Sequence, residues 1–315
     1  MRRRTAVLAA LPLIFAAACG TAQKSDSSAS PAGASGIKVT GQANQKPSVT
    51  FPSGKPRLTS SSETIIEGQG EPAKDGDVLT AKVTVYNWDG KDNKSPGSDY
   101  DQGRSEFVTV NQQLPKALYN ALAGAKPGGR VLAVVAKDNL TADQLANAKQ
   151  QGTDFENTSQ VLVVDVVAAA PKAAQGTATD PGVEGVKLVN PGDDKAPTLT
   201  TKTSAKPPKG LVVKTVIEGK GPKVTADQMV LAHYTGKIWG TDKQFDSSWE
   251  RGEPTTFALS QVVKGWSQGL TGVPVGSRVL LTIPPDLGYG KEGNAQGGIK
   301  GTDTLVFVVD VLGAA

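Results

Sequence analysis

The sequence predicts an α+β protein of two tandem domains, each an antiparallel β-sheet curled around a short helix. Three observations support this fold class: an internal repeat, strands that alternate apolar and polar residues, and one short helical segment in each copy of the repeat. The repeat is clearest where the segment TIIEGQG at Thr64–Gly70 recurs as TVIEGKG at Thr215–Gly221. Further matched pairs are Val78 with Val230, Trp88 with Trp239, Phe107 with Phe257, Arg130 with Arg278 and Asp165 with Asp310.

Each copy contains its strand and helix patterns in the same order. Two pairs of segments show the alternation of half-buried strands, and a third pair forms Val-rich apolar runs typical of strands buried on both faces. These pairs are 78–88 with 228–239, 129–137 with 277–283, and 161–167 with 305–312. The helical segments are 115–123 and 262–270. Because a helix this short is not stable alone, we expect it to pack against the sheet.

Composition limits the classes of function. A chain of 315 residues is long enough for two ordinary domains, and its net charge of +4 shows no basic cluster, so nucleic acid is not an expected partner. One Cys and one His exclude a disulfide framework and a His/Cys metal site. No metal or cofactor is expected. The sequence has no G-x-S-x-G, P-loop or dinucleotide fingerprint, which argues against a hydrolase or nucleotide enzyme.

The N-terminus has the pattern of a targeting signal. Arg2–Arg4 precede an apolar run at residues 6–18, which is too short to span a bilayer but suits the core of a signal peptide. The run ends in three alanines before Cys19, an arrangement similar to a bacterial lipobox. We therefore predict cleavage of residues 1–18 and lipidation of Cys19, which would anchor an extracytoplasmic protein to the cell membrane. The alternative is a secreted protein without a lipid.

Composition also predicts the domain boundaries. Residues 19–45 are rich in Ser, Ala, Gly and Gln and predict a flexible tether. The first domain is expected at 46–169 and the second at 196–315. Between them, residues 170–195 are rich in Ala, Gly, Pro and Asp and predict a linker.

Five segments of the second copy carry a resemblance to a known family. They are HYTG at 233–236, FDSS at 245–248, VKGWSQGL at 263–270, PPDLGYG at 284–290 and LVFVVD at 305–310. In order and approximate spacing, the second copy resembles the FKBP-type peptidyl-prolyl isomerases, the macrolide-binding family. The resemblance covers about 110 residues, from near Lys209 to the C-terminus.

The resemblance implies a pocket for a prolyl ring, with Trp266 as its floor and three aromatic side chains as walls. The implied catalytic residues are Tyr234, Phe245, Asp246, Trp266, Tyr289 and Phe307. The implied substrate-binding residues are Val262, Val263, Phe257 and Ile299. Tyr289 would donate its hydroxyl to a substrate carbonyl, and Asp246 would be a buried acid that orients the pocket. Residues 286–301, with six glycines in sixteen residues, would form a mobile flap whose rim is closed by Ile299.

The reaction of this family needs no acid, base or nucleophile. Rotation about a peptide bond faces a barrier of roughly 18–20 kcal/mol, and exchange at X–Pro takes tens to hundreds of seconds. The twisted amide is less polar than the planar one, so a dry aromatic pocket favours it. Alternative roles remain for single residues: Trp266 and Phe307 as plain core, Asp246 as the cap of a turn, and His233 as a structural histidine.

The first copy lacks most of these residues. Val83 stands at the Tyr234 position, Leu118 at the Trp266 position and Leu162 at the Phe307 position. The PPDLGYG segment has no counterpart, and Tyr100-Asp101 alone echoes Phe245-Asp246. The first copy is therefore predicted to fold but to be catalytically silent, serving to dock clients, to brace the second domain or to act as a spacer.

The expected partners are proline-containing unfolded or secreted polypeptides, rapamycin-class macrolides, and the membrane through the lipid anchor. The competing hypothesis is a non-catalytic lipoprotein or chaperone that binds peptides or small molecules. Joint retention of Trp266, Tyr289 and Phe307 favours the enzyme. Two departures from the family pattern bear on substrate preference: Thr255 replaces a common aromatic, and residues 299–301 lack prolines common in relatives.

Overall fold

A computed structural model of the protein describes residues 35–192 and 194–315. The chain divides into two compact units, with the boundary between Ala169 and Ala170. The predicted signal peptide and Cys19 lie outside the described residues. Within the described ranges, no helix has the length and apolar character needed to cross a membrane.

The first unit is a six-stranded antiparallel sheet with a separate two-stranded hairpin and three helices. The strands are β1 (Lys38–Thr40), β2 (Ser48–Thr50), β3 (Ser61–Ile66), β4 (Val78–Trp88), β5 (Gly97–Ser98), β6 (Glu106–Thr109), β7 (Arg130–Val135) and β8 (Ser159–Ala169). The helices are α1 (Asp99–Gln102), α2 (Lys116–Leu122) and α3 (Ala142–Gln150). The sheet order is β3-β7-β8-β4-β5, with β6 also paired to β4, and β1 pairs with β2.

The second unit repeats this plan without a counterpart of α3. Its strands are β9 (Lys187–Val189), β10 (Thr198–Thr200), β11 (Val212–Ile217), β12 (Met229–Ile238), β13 (Gln244–Ser247), β14 (Thr255–Ala258), β15 (Arg278–Ile283) and β16 (Leu305–Ala314). Its helices are α4 (Ser248–Arg251) and α5 (Lys264–Leu270). The order β11-β15-β16-β12-β13, with β14 on β12, matches that of the first unit strand for strand. The predicted fold class, two antiparallel sheets each curled around a short helix, is confirmed.

Alternation along the strands gives each sheet two buried faces. In β15 and β16, Leu281 and Phe307 pack in the core that contains α5. Their neighbours Leu280 and Val306 belong instead to a second cluster, together with Ala174 and Leu199. The Val-rich strand β16 is therefore buried on both faces, as its sequence predicted. One face packs against α5, and the other packs against residues that precede the sheet, such as Ala174 and Leu199.

That second face is covered by the residues that precede each sheet, and this corrects two predicted boundaries. In the first unit, Ile37 and Val39, assigned to a flexible tether, are 1% and 2% exposed and pack beside Trp88. In the second unit, Ala173 and Ala174, assigned to a linker, are buried. Small and isolated apolar residues cover the sheet here, and a composition rich in Ser, Ala and Gly does not reveal it.

An ion pair on the same face ties each cover segment to its sheet. Arg278 donates from Nε and Nη2 to Asp310 at 2.5 and 2.6 Å, and the backbone N–H of Ala174 donates to Asp310 Oδ2 at 2.9 Å. Arg130 and Asp165 form the same pair in the first unit, where Arg130 also donates to carbonyls of the β1–β2 loop. The buried charges are thus hydrogen-bonded on several sides, as buried charges require.

Candidate functional site

An aromatic cage lies between the sheet and α5 of the second unit. Trp266 is at its base, with ring centroids 5.0 Å from Phe257, 5.4 Å from Tyr234 and 5.3 Å from Phe307, all edge-to-face. Phe245 adds to one wall at 5.4 Å from Phe307. These separations lie within the range in which edge-to-face aromatic pairs stabilise one another. The structure therefore brings together five of the six aromatic side chains that the sequence analysis assigned to the pocket, and Tyr289 is the one that makes no ring contact with them.

Local structure explains why these side chains converge. Tyr234 on β12 pairs with Val309 on β16, and both belong to the core that contains α5, whereas His233 lies on the other face of β12. Trp266 is on the buried side of α5 and is 3% exposed. Glycine at residue 236 leaves room for two of these rings, because a Cβ there would lie 2.6 Å from the Phe245 ring and 2.7 Å from the Phe307 ring.

A polar network holds one wall of the cage. The Tyr234 hydroxyl donates to Asp246 Oδ2 at 2.5 Å, Arg251 Nη1 donates to Asp246 Oδ1 at 2.5 Å, and Arg251 Nη2 donates to the Tyr234 oxygen at 2.8 Å. Burial, followed by the hydrogen bond to the Asp246 carboxylate, raises the pKa of Tyr234 to about 12. The phenol therefore keeps its proton, and its orientation, at any physiological pH.

Two features of this network differ from the sequence prediction. Asp246 is not a buried acid, because its side chain is 43% exposed, and its position is defined by hydrogen bonds instead. Arg251 was missed. It ends α4, one turn of helix that stops at Gly252, where φ is +80°. A single Arg in a surface turn forms no periodic pattern, so its spacing of five residues from Asp246 was the only available signal.

The other predicted residues lie around the mouth of the cage. Val262 and Val263 are half-buried against it. Val263 precedes the first residue of α5, a position that leaves its N–H outside the hydrogen bonds of the helix. Ile299 is 5% exposed and packs in the same core. Tyr289 lies on the Gly-rich loop and is 38% exposed, unlike the buried rings of Tyr234, Trp266 and Phe307.

His233 has a structural environment. Its ring stacks on Trp249 at 3.9 Å, and Nδ1 lies 2.9 Å from the Ser248 hydroxyl. Burial is the main cause that lowers the pKa of His233. A neutral, stacked imidazole on the face of β12 opposite the cage does not exchange protons with a ligand in the cage.

The first unit has an apolar site of different shape at the corresponding place. Strand register puts Val83, Leu118 and Leu162 where the second unit has Tyr234, Trp266 and Phe307. Phe155 and residues of α3 pack against Leu162. The sequence analysis missed α3, although Thr141 and Gln144 form a capping box that marks its start. Residues 136–158, which contain α3, link β7 to β8 as residues 284–304 link β15 to β16, so α3 stands where the second unit has its Gly-rich flap.

The register also corrects three details of the repeat, the first being that Leu79, and not Val78, corresponds to Val230. Thr84 pairs with Ser98 as Thr235 pairs with Ser247, so Tyr100-Asp101 correspond to Trp249-Glu250 and not to Phe245-Asp246. Likewise Val108, and not Phe107, corresponds to Phe257, because the two residues pair with equivalent positions of β4 and β12. Tyr100 instead hydrogen-bonds Asp165 on the cover face. Because Tyr100 and Phe107 do not correspond to Phe245 and Phe257, the first unit has fewer aromatic side chains at the cage positions than the sequence match suggested.

A small aromatic pocket with one hydrogen-bonded wall is typical of proteins that bind a compact apolar group through shape complementarity. The family model for FKBP-type peptidyl-prolyl cis-trans isomerase matches residues 221–312, which include the whole cage. The FK506-binding protein of Streptomyces anulatus is 44% identical over 108 residues, which are 34% of this chain and 87% of that protein. The chain belongs to the FKBP-type peptidyl-prolyl cis-trans isomerase family and is an enzyme of that type.

Two further similarities cover more of this chain but less of the other protein. The probable FKBP-type peptidyl-prolyl cis-trans isomerase of Haemophilus influenzae is 37% identical over 158 residues, which are 50% of this chain and 62% of that protein. The crystal structure of FkpA from Escherichia coli has 35% sequence identity and a TM-score of 0.33, and the match covers 42% of this chain and 53% of that one.

Proposed function

We propose that the second unit is the catalytic domain and that it isomerises X–Pro bonds in unfolded or secreted polypeptides, while the first unit is catalytically silent. The observation that carries this proposal is the cage of Tyr234, Phe257, Trp266 and Phe307, with its Asp246 network, in the second unit. At the equivalent positions, the described first unit has aliphatic side chains.

The cage lowers the barrier by favouring the twisted amide. A prolyl ring seated over Trp266 places its imide carbonyl among aromatic rings and away from water. Because the planar amide has the more polar carbonyl, this desolvation disfavours the ground state more than the twisted state. Tyr289, at the mouth, supplies a hydroxyl that can hold the substrate backbone in the twisted form. No step requires proton transfer.

Two matched substitutions in the full chain test the assignment. Trp266→Leu copies the side chain of the first unit at position 118 and removes the base of the cage, so we expect isomerisation of a proline tetrapeptide to fall by at least about tenfold. Leu118→Met conserves volume at the equivalent position of the first unit and should leave the rate unchanged. If Leu118→Met were as damaging as Trp266→Leu, catalysis would not belong to the second unit. A folded but inactive wild-type chain would favour a peptide-binding lipoprotein instead.

We also propose that the same cage binds macrolides, a view supported by the name of the Streptomyces relative, an FK506-binding protein. Competition by rapamycin in the tetrapeptide assay tests it. In Trp266→Leu, the isomerase rate should fall, and the rate that remains should be insensitive to rapamycin. Activity that persists at saturating rapamycin would show that the macrolide does not share the cage.

For the location, we propose an extracytoplasmic protein held at the membrane by a lipid on Cys19, where it assists the folding of secreted chains. The support is the sequence alone: Arg2–Arg4, the apolar run at 6–18 and the small residues before Cys19. Labelling with radioactive palmitate tests it. Wild type should carry label in the membrane fraction, and Cys19→Ala should lose the label. Label that persists in Cys19→Ala would contradict the anchor.

A further inference from the structure

The Gly-rich flap of the second unit is closed by a small loop at residues 294–299. Asn294 and Ile299 exchange two backbone hydrogen bonds of 2.8 and 2.9 Å, and Asn294 Oδ1 accepts from the N–H of Gly297 at 3.0 Å. At the end of this loop, the Ile299 side chain is buried in the core that contains Trp266. These hydrogen bonds hold the loop together, and the loop positions Ile299 at the mouth of the cage.

One side chain from outside the flap is bonded to this loop. Lys243, at the turn between β12 and β13, donates from Nζ to the carbonyl of Gly298 at 3.0 Å. Gly298 has φ of +62°, and a Cβ on it would lie 2.2 Å from the Lys243 nitrogen. The ammonium group thus occupies the space that a side chain at 298 would need, immediately before Ile299.

The turn that carries Lys243 is itself fixed. Asp242 has a left-handed backbone, with φ of +60°, and its Oδ1 accepts from the Thr201 N–H at 2.8 Å and from Lys237 Nζ at 3.1 Å. The Lys243 carbonyl accepts from the N–H of Ile238 at 2.9 Å. These bonds join the turn both to β12 and to Thr201, the residue that follows β10. Because the turn is fixed, the Lys243 side chain starts from a defined position when it bonds the 294–299 loop.

We propose that Lys243 is a positioning residue for isomerisation, which latches the flap so that Ile299 closes the cage before substrate arrives. The inference rests on the proposed function, since it assumes that the second unit is the catalytic one. Lys243 touches neither the cage nor its ligand. A loop that is already ordered loses less conformational freedom on binding, so the latch strengthens substrate binding. Because the ammonium group is exposed, its bond to Gly298 exchanges readily with water, and the loop can open for release.

The test compares Lys243→Met with Lys209→Met in the full chain. Both remove one exposed cation, but Lys209 lies outside the flap and, within the described residues, its side chain makes no hydrogen bond. For Lys243→Met we expect amide exchange at residues 294–299 to accelerate about three- to tenfold, with KM for a proline tetrapeptide rising by a similar factor and kcat unchanged. Lys209→Met should change neither quantity, and Lys243→Arg should restore both. Unchanged exchange in Lys243→Met would overturn the proposal.

A second variant separates the latch from general damage. Gly298→Ala displaces the ammonium group sterically and also strains the left-handed backbone at 298, so it has an effect of its own. The part that it shares with Lys243→Met should make the effect of the double variant on KM smaller than the sum of the two single effects. Additive effects would show that Lys243 does not act through this loop. The exchange measurement needs no activity, so an inactive wild-type chain would count against the proposed function while the latch would still be tested.

Discussion

Tyr234 and Asp246 are joined by a hydrogen bond of 2.5 Å that runs from a strand of the sheet to the segment entering α4. Arg251 bonds both partners, so the phenol is held from two directions. One aromatic wall of the cage is therefore fixed by polar contacts at its rim, while the other aromatic side chains are fixed by packing alone.

Tyr234→Phe keeps the ring and removes the hydroxyl. The loss of one hydrogen bond, worth about 0.5–1.5 kcal/mol, should lower kcat/KM by no more than about tenfold. The wild-type rate should be independent of pH between about 6 and 9, because the pKa of Tyr234 is raised to about 12 and the phenol stays protonated. A proline tetrapeptide assay measures both. A wild-type rate that follows a titration in this window would show that a proton transfer was overlooked.

Gly236→Ala tests the geometry of the cage without touching a polar group. The new methyl would lie within 2.7 Å of the Phe245 and Phe307 rings, so these rings must move. We expect kcat/KM to fall at least about tenfold, with an altered near-ultraviolet circular dichroism and intact far-ultraviolet signal. Val85→Gly makes the reverse change at the equivalent position of the first unit, and the rate should not respond. Full activity in Gly236→Ala would mean that these rings do not shape the site.

Glu106 should make the stability of the first unit depend on pH. Burial, and then the nearby Asp99 carboxylate, raises its pKa from 4.5 to about 7. A carboxyl group with a raised pKa in the folded state contributes stability below about pH 4.5, and that contribution is lost as the pH rises to about 7. Glu106→Gln should remove this dependence, which for one proton is at most about 1.4 kcal/mol per pH unit.

Urea unfolding followed by hydrogen exchange of β6 and β7 peptides measures this effect at pH 4.5, 6 and 8. Glu71→Gln, an exposed carboxyl in the same unit, is the matched control and should keep the wild-type profile. If Glu106→Gln lost stability with rising pH as steeply as wild type, the titrating group would lie elsewhere.

Asp310→Asn should strongly destabilise the second unit. Asp310 and Arg278 are 1% and 3% exposed, so removing one charge leaves the other buried without a counter-ion, a change that typically costs about 3–5 kcal/mol. Asp165→Asn is the same change in the first unit. Hydrogen exchange of β15–β16 peptides should accelerate in Asp310→Asn only, and that of β7–β8 peptides in Asp165→Asn only. Replacing both Arg278 and Asp310 by apolar residues should be less damaging than Asp310→Asn, and the reverse order would contradict this account.

Much of the fold follows from patterns local to the sequence. The alternation at residues 78–88 predicted β4 with its observed bounds. One face of that strand shares a core with α2, and the other shares a core with β1 and β2. The aromatic positions of the second copy also converge as expected. Their convergence depends on how the strands pair, and the order of the five family-like segments in the second copy already implied that pairing.

The remaining features depend on contacts between distant segments. Ala174 is buried by Val306 and Val308, more than a hundred residues away, and nothing in the composition of its own segment signals this. The repeat was misaligned by one residue at Phe107 because residue identity was matched, whereas the pairing of β6 with β4 decides equivalence. Arg251 acts through hydrogen bonds to the side chains of Asp246, Tyr234 and Thr255, and such bonds produce no periodic pattern in the sequence.

The cover segments determine where the chain can be cut. A fragment that began at Ala196 would lack Ala174, Val183, Val186 and Leu188, and would expose Leu280, Val306 and Val308 on a broad sheet face. An uncovered apolar face of this kind promotes aggregation. Such a fragment would precipitate or self-associate even with its cage intact, so a soluble form of the second unit should begin near Ala170 and not at the start of the sheet.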